Sequence, residues 1–256
     1  PLMFTLPDYP TLFWFFAAFV ALLIGVDKSG FGGGISVIAV PLLALTIPPA
    51  EASALVLPVL IFGDILAFRS YRKTIDGKNF RLLLPWLLAG VLVGTFFFQA
   101  VIDNKRVLNI GIAVIALGFV VFQVSREALF KRLAHHPPAK PWGIILGTTA
   151  GFTSMIAHVG GPLVTIFLLP QNLGRETFVG TSITLFFIAN IVKLPLYGFL
   201  GLLHIGNALV ILLLLPLTYI GSSLGLFLNK RFNNLWFNRV MYLFLTVTAV
   251  QLLLRK

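Results

Sequence analysis

Ten continuous apolar runs fill this chain, at 11–26, 34–47, 52–69, 82–102, 107–124, 142–157, 161–170, 177–200, 207–228 and 238–254. Nothing else in the sequence limits its fold so strongly. Hydrophobic residues make up 58% of the 256 positions and charged residues 11%, where an average soluble domain carries ~25% charged residues. That much apolar surface cannot be hidden from water, so the bilayer must be the solvent. Within a bilayer every backbone polar group needs an internal partner, which leaves helices and closed barrels. A barrel alternates polar and apolar residues; these runs are unbroken. The expected fold is an all-α polytopic membrane protein.

A full crossing needs about 20 residues. The runs at 34–47 and 161–170 are too short, roughly half a membrane each at about 1.5 Å per residue. Both follow a glycine cluster. The pairing extends further: "GFGGGISVIAVP" (30–41) is similar to "HVGGPLVTIFLLP" (158–170), and Pro85, Gly90 and Gly94 match Pro216, Gly221 and Gly225 at a constant offset. "NKRV" (104–107) matches "FNRV" (237–240). A rival register sets Gly30 and Phe31 against Gly151 and Phe152; the first register is preferred because its offset is closer to the later blocks. The chain therefore divides into a first membrane repeat (1–125), a cytoplasmic linker (126–140) and a second membrane repeat (141–256). Five segments per repeat is an odd number, so the two repeats are expected to be inverted.

The net charge of +11 sits between the apolar runs, as orientation signals and lipid-phosphate contacts do, so membrane lipids rather than nucleic acid are the expected partners. If the N-terminus lies outside and every segment reverses direction, the inner face collects Lys28, Arg69, Arg72, Lys73, Lys78, Arg81, Arg126, Lys131, Arg132, Lys140, Arg175, Lys230, Arg231 and Arg239. The outer face keeps only Lys105, Arg106, Arg255 and Lys256. An eight-span arrangement, with the two short segments re-entrant, would put three of those basic residues outside and ranks second. No cysteine is present, which excludes disulfides and thiol chemistry. No basic region precedes the first run, so no signal peptide is expected. His135 and His136 lie in the polar, Pro-containing linker and read as solvated residues, not metal ligands. No nucleotide-binding signature and no cofactor motif appears.

Several stretches resemble the sulfite exporter TauE/SafE family, also called the toluene sulfonate uptake permease family. They are "GFGGGISVIAVPLLAL", "PPAEASALVLPVLIFGDILAFRSYR", "AHVGGPLVTIFLLP" and "GTSITLFFIANIVKLPLY". The resemblance runs through nearly the whole chain. Each motif is weak alone; their order, spacing and duplication are specific together. The resemblance implies a carrier for sulfite or organosulfonates in the cell inner (plasma) membrane, with import and export both represented in the family. One departure stands out: the first repeat has Gly32, Gly33 and Gly34 where the second has Gly160, Gly161 and Pro162, so the two half-sites are not expected to be equivalent.

The chemistry begins at these clusters. Glycines permit a break in the helix, and a half-helix restarting near Gly34 or Gly161 presents unpaired N–H groups and a positive dipole end. Paired interrupted segments of this kind point to a transporter's binding site, and the polarity suits an anion. Close helix packing through small residues is the competing explanation. The substrate-binding candidates are Lys28, Ser29, Gly32, Gly33, Gly34, Ser154, His158, Gly160, Gly161, Asn190 and Lys193, with Thr153 flanking. Lys193 lies deep in an apolar run, where a charge costs at least ~2.5–3.5 kcal/mol, unless it snorkels to the surface. Asp64 falls at the position matching Asn190. Asp27, Asp64 and His158 are the proton-coupling candidates. Asp27 and Lys28 could otherwise sit at the inner interface in water. Glu51 follows Pro48 and Pro49 and suits a helix first turn.

The expected function is a secondary transporter, an exporter by preference, of small sulfur-containing anions by alternating access, with proton coupling as an option. The alternatives are an anion channel and, further off, an intramembrane enzyme using Ser154 and His158, for which no elbow motif or acidic partner exists. No catalytic residue is assigned. A homo-oligomer is compatible with the sequence.

Overall fold

A computed structural model describes residues 7–31, 36–71, 73–134, 138–203, 205–229 and 234–254. Every regular element among them is helical. Helix α1 spans Thr11–Val26 and runs into a π-helical turn, Asp27–Phe31. A single 3₁₀ turn, Ser36–Ile38, opens α2 (Ala39–Ala44). Then come α3 (Pro49–Tyr71), α4 (Gly77–Val101) and α5 (Lys105–Ala134). The second half repeats the order: α6 (Lys140–Ala157), α7 (Gly161–Leu168) with a 3₁₀ turn to Gln171, α8 (Arg175–Phe199), α9 (Ile205–Asn229) and α10 (Asn234–Leu254). Among the described residues, six helices are long and apolar enough to cross a membrane.

Each apolar run becomes one helix, and the two short runs become the two short helices. Helix α5 continues through 126–134, because "REALFKRLA" is built of strong helix formers. His135 and His136 lie outside the described residues.

Local contacts fix the direction of each segment. The Tyr9 hydroxyl, just before α1, bonds the carboxylate of Glu51 in the first turn of α3. So α2 carries the chain back to the end where α1 began. The second half does the same at the opposite end, where Gln171 Nε2, after α7, donates to the carbonyl of Pro138, before α6 (3.2 Å). That end also holds the last turn of α3, since Thr74 Oγ1 lies 3.2 Å from the Glu176 carbonyl and Asp76 N–H donates to Thr181 Oγ1 (2.9 Å). Segments two and seven thus each reverse the chain. The end shared by Thr74, Pro138 and Gln171 also carries exposed Lys73, Lys78, Lys140 and Arg175.

Packing between halves comes in matching sets. Helix α1 packs on α9, and α4 packs on α6; α3 meets α8, and α5 meets α10. The first two contacts run parallel and are glycine-mediated. A Cβ at Gly25 would stand 2.1 Å from the Thr218 carbonyl oxygen, and one at Gly90 would stand 1.9 Å from that of Thr148. Only glycine permits backbones this close, the small-residue packing expected where hydrocarbon surrounds the helices. Gly221 and Gly225 meet Leu22 and Val26; Gly94 meets Met155. The glycines that mark the repeat in sequence are the interface residues of both pairs. Helix α3 runs antiparallel to α8, with Asp64 against Asn190 and Phe68 against Phe187.

Candidate functional site

The two interrupted segments break differently. In the first half, the π-helical turn at 27–31 widens the helix where Asp27, Lys28 and Ser29 emerge, a deviation common at functional sites. Gly32, Gly33 and Gly34 lie outside the described residues. Helical turns resume at Ser36, whose N–H donates to Asp27 Oδ2 (2.8 Å). The carboxylate of Asp27 therefore supplies negative charge at the start of the short segment, where the free N–H groups are.

In the second half, α6 ends at His158, whose backbone is left-handed (φ 57°, ψ 29°). A non-glycine residue in that region costs of order 1 kcal/mol or more. The Val159 N–H reaches back to the Thr153 carbonyl (3.4 Å) in a Schellman-type closure, and Thr153 Oγ1 lies 2.8 Å from the Val159 carbonyl. Gly160 then caps α7, which begins at Gly161. A Cβ on Gly160 would stand 2.7 Å from the Phe186 ring and 2.8 Å from the Ala150 carbonyl oxygen. Close packing explains that glycine.

Between the breaks, α3 and α8 bring the charged residues together. Lys28 Nζ lies 2.6 Å from Asp64 Oδ1. The other carboxylate oxygen, Oδ2, accepts from Asn190 Nδ2 (2.6 Å). Matching positions of the two halves are thus bonded to each other. Lys193, one turn along α8, has Nζ 3.0 Å from the Ser154 carbonyl, 3.1 Å from Ser154 Oγ and 2.8 Å from His158 Nδ1. His158 Nε2 stands 3.0 Å from the carbonyl of Ser53. A carbonyl can only accept, so Nε2 carries the proton and Nδ1 is free to accept. Lys193 then faces three acceptors, which matches the three N–H donors of an ammonium.

Most of this cluster is buried, while His158, which touches Lys193, is partly exposed. Asp64 and Lys193 are 0% exposed, Ser154 2%, Asn190 3% and Lys28 8%. Lys193 does not snorkel, and neither Asp27 nor Lys28 sits in interfacial water; Asp27 too is fully buried. The Lys28–Asp64 pair is a buried ion pair. Among the described residues Lys193 has no carboxylate within ion-pair distance.

Ser29, another candidate, turns away from this cluster, and its Oγ bonds Ser222 Oγ on α9. Sequence reasoning did not find Ser53, Ser222 or Tyr197. Ser53 acts through its backbone carbonyl, and its own Oγ donates to the carbonyl of Ile156 (2.9 Å). Tyr197 is fully buried, and its hydroxyl donates to the Met155 carbonyl (2.7 Å). Its position four residues past Lys193, on the same helical face, was the available signal. Tyr197 and Ser53 both tie to the last turn of α6 and hold the His158 break in place.

Two apolar cavities flank the cluster. One, of about 300 Å³, lies between α3, α8 and α9 and is lined by Ala54, Pro58, Leu194 and Asn207. The other, of about 260 Å³, lies against α5, α6 and α7, lined by Phe119, Thr153, Val159 and Pro162. Neither is lined by Lys28, Asp64 or Lys193, so the cluster is closed to both. Among the described residues no group of three or more His, Asp or Glu could hold a metal.

A search of curated proteins and a search of solved structures each returned no match. A scan against family models returned one described as Sulfite exporter TauE/SafE, matching residues 17–252. That match takes in both short helices, the α3–α8 crossing and every residue of the buried cluster, and the chain belongs to the sulfite exporter TauE/SafE family.

Proposed function

We propose that this protein carries small sulfur-containing anions, such as sulfite or an organosulfonate, across the inner (plasma) membrane by alternating access. Family membership gives the coarser statement, an exporter-type membrane transporter. The observation that carries the finer one is the buried cluster of Lys28, Asp64, Asn190 and Lys193 at the α3–α8 crossing. Buried ionisable residues in a membrane protein mark substrate or proton pathways. Lys28 and Lys193 supply the positive groups that suit an anion. His158 and Ser154 position Lys193 and complete the binding candidates.

The two membrane repeats, 1–125 and 141–256, are read as inverted. The antiparallel α3–α8 contact and the opposite ends at which the short helices return support this. Such repeats place the substrate at their interface, where the cluster lies. Enclosure of the cluster favours a carrier over an open channel. Sidedness follows the positive-inside rule, with Lys73, Lys78, Lys140 and Arg175 inside.

Asp64 is the proton-coupling residue we favour. Adding a proton to it would release Lys28 to bind substrate. His158 is less suited, because its free nitrogen already accepts from Lys193. Asp27 is occupied by the Ser36 N–H.

The test is uptake of radiolabelled sulfite into proteoliposomes holding purified protein, with and without a pH gradient. Saturable flux that depends on Lys193 supports the reading. Flux that stays linear with concentration would favour a channel, and flux indifferent to Lys193→Met would remove the cluster from the pathway.

A further inference from the structure

Exposed charge is divided unevenly between the two ends of the molecule. At the end shared by Thr74, Pro138 and Gln171, six basic residues are exposed: Arg69, Lys73, Lys78, Arg81, Lys140 and Arg175. Glu176 is the one exposed acid there among the described residues. Asp76 is half-buried, and its carboxylate accepts from the Lys78 N–H, the Asn79 N–H and Asn79 Nδ2 at the start of α4. At the Tyr9 end, exposed Lys105 and Arg106 are matched in number by exposed Asp8 and Asp103. We infer that the first of these ends carries a docking surface for the headgroup of an anionic phospholipid, centred on Lys78, Arg81 and Lys140 at the starts of α4 and α6.

These cations are open to an outside partner. Among the described residues Lys73, Lys78, Arg81 and Lys140 make no ion pair. They are also gathered by the fold. Helices α4 and α6 both begin at this end and run side by side. A Cβ on Gly143 would stand 2.9 Å from Leu82, and one on Gly147 would stand 3.2 Å from the Cβ of Trp86. Lys140 lies one turn before Gly143, and Lys78 and Arg81 lie within one turn before Leu82. One half of the chain supplies two of the three charges and the other half supplies the third.

The occupant follows from what borders the charges. Trp142, two residues past Lys140, is 56% exposed, and Ile145 is 55% exposed; on α4 Trp86 is 40% exposed. Exposed indoles beside basic residues mark the headgroup level of a bilayer, and lysine and arginine can lay their stems along apolar surface while the charged head reaches outward. A soluble anion would leave that apolar rim bare. A phospholipid covers it with an acyl chain while its phosphate meets the cations, and basic clusters at a membrane boundary recognise anionic lipids in this way. Lipid binding here does not depend on which anion the protein carries.

Native mass spectrometry of the purified protein, titrated with phosphatidylglycerol or phosphatidylcholine of the same acyl chains, tests the surface. Wild type is expected to bind phosphatidylglycerol about tenfold more tightly, with the margin narrowing as ionic strength rises. Lys78→Gln, Arg81→Gln and Lys140→Gln together should bring the two lipids to within about twofold, and Lys140→Gln alone should remove about threefold of the margin. Lys105→Gln with Arg106→Gln, at the other end, should leave it unchanged. All five positions are exposed, and the melting temperature of each variant without added lipid checks its folding. Thermal shift with the same lipids in micelles repeats the comparison in solution. Equal binding of the two lipids by wild type, a margin kept by the triple variant, or an equal loss in the Lys105 and Arg106 pair each overturns the surface. Inorganic phosphate that displaces phosphatidylglycerol at millimolar concentration would make it a soluble-anion site and overturn the lipid assignment. Sulfite flux in phosphatidylcholine proteoliposomes tests the carrier reading separately, so either can fail without the other.

Discussion

The two halves bury a lysine at the same crossing and solvate it by opposite means. In the first half, Lys28 is neutralised by a carboxylate at 2.6 Å, the short helix is capped by the carboxylate of Asp27, and the hairpin end is closed by Tyr9 on Glu51. In the second half, Lys193 is held by a carbonyl, a hydroxyl and an imidazole, the break at His158 is closed by backbone and Thr153, and the hairpin end is closed by an amide on a carbonyl. One half uses charge where the other uses neutral dipoles. The two halves follow similar helical paths while the groups that hold their buried lysines differ.

The largest effect that sharpens this contrast comes from Lys28→Met. It strands the Asp64 carboxylate in a dry environment, and breaking a buried pair from one side costs about 3–5 kcal/mol. Thermal unfolding in detergent should show a marked fall. Adding Asp64→Asn should recover most of it, because a neutral amide pair replaces the orphaned charge. If Lys28→Met is as stable as wild type, the first half is not held by charge and the comparison fails at its centre.

Lys193→Met should behave differently. No carboxylate is stranded, only the acceptors of Ser154 and His158, so the stability loss should be about 1–3 kcal/mol, less than for Lys28→Met. Anion affinity should fall through loss of a nearby positive charge rather than of a hydrogen bond, since Ser154 and His158 occupy the three N–H groups of Lys193. A larger stability loss than Lys28→Met would mean that Lys193 has an ionic role like its counterpart.

His158→Asn comes next in size. Asparagine tolerates the left-handed backbone but cannot span Ser53 and Lys193 at once. The expected cost is about 1–2 kcal/mol, with a weaker grip on Lys193 read as a several-fold rise in the sulfite KM. His158→Gly would keep the turn and remove the grip altogether, so equal KM values for Gly and wild type would show that the imidazole is only a turn residue.

Much of this architecture could be read from residue order. Ten apolar runs gave the helices, because hydrocarbon forces a continuous apolar stretch to close its own hydrogen bonds. The short runs at 34–47 and 161–170 became the short helices, and the match of Asp64 with Asn190 became a contact. The site was legible only where a charge stood out. Lys193 was conspicuous in an apolar run. Ser154 and His158 were singled out with it, but the contacts that join them were not legible, since two of the groups involved, the carbonyls of Ser53 and Ser154, belong to the backbone and leave no mark on residue identity. The pairing of Lys28 with Asp64 also escaped, because it depends on the crossing of α1 and α3, and lysine near a segment end reads equally well as interfacial. The extension of α5 to Ala134 was obscured by polarity, which reports solvent and not backbone shape.

The smallest predicted effect tests the contrast at the hairpin end that Tyr9 closes. Tyr9 is half-buried. Burial and the neighbouring Glu51 carboxylate push its phenol well above the ordinary value. Its hydroxyl donates to Glu51 and lies 3.0 Å from Asn207 Oδ1 as placed, while Asn207 Nδ2 has no partner. Turning the Asn207 amide over lets Nδ2 donate to the phenol oxygen and satisfies both groups. Because the folded phenol holds its proton more tightly than the unfolded one, its contribution is full below a pH of about 10 and fades as pH rises beyond that. Tyr9→Phe should cost about 1 kcal/mol near neutrality and flatten the alkaline decline of melting temperature relative to wild type. Gln171→Ala at the other hairpin should cost less and show no alkaline signature, since an amide on a carbonyl does not titrate. If both variants lose stability equally and with the same pH profile, the two ends are closed by equivalent means, and the division of the halves into charged and neutral does not extend beyond the buried lysines.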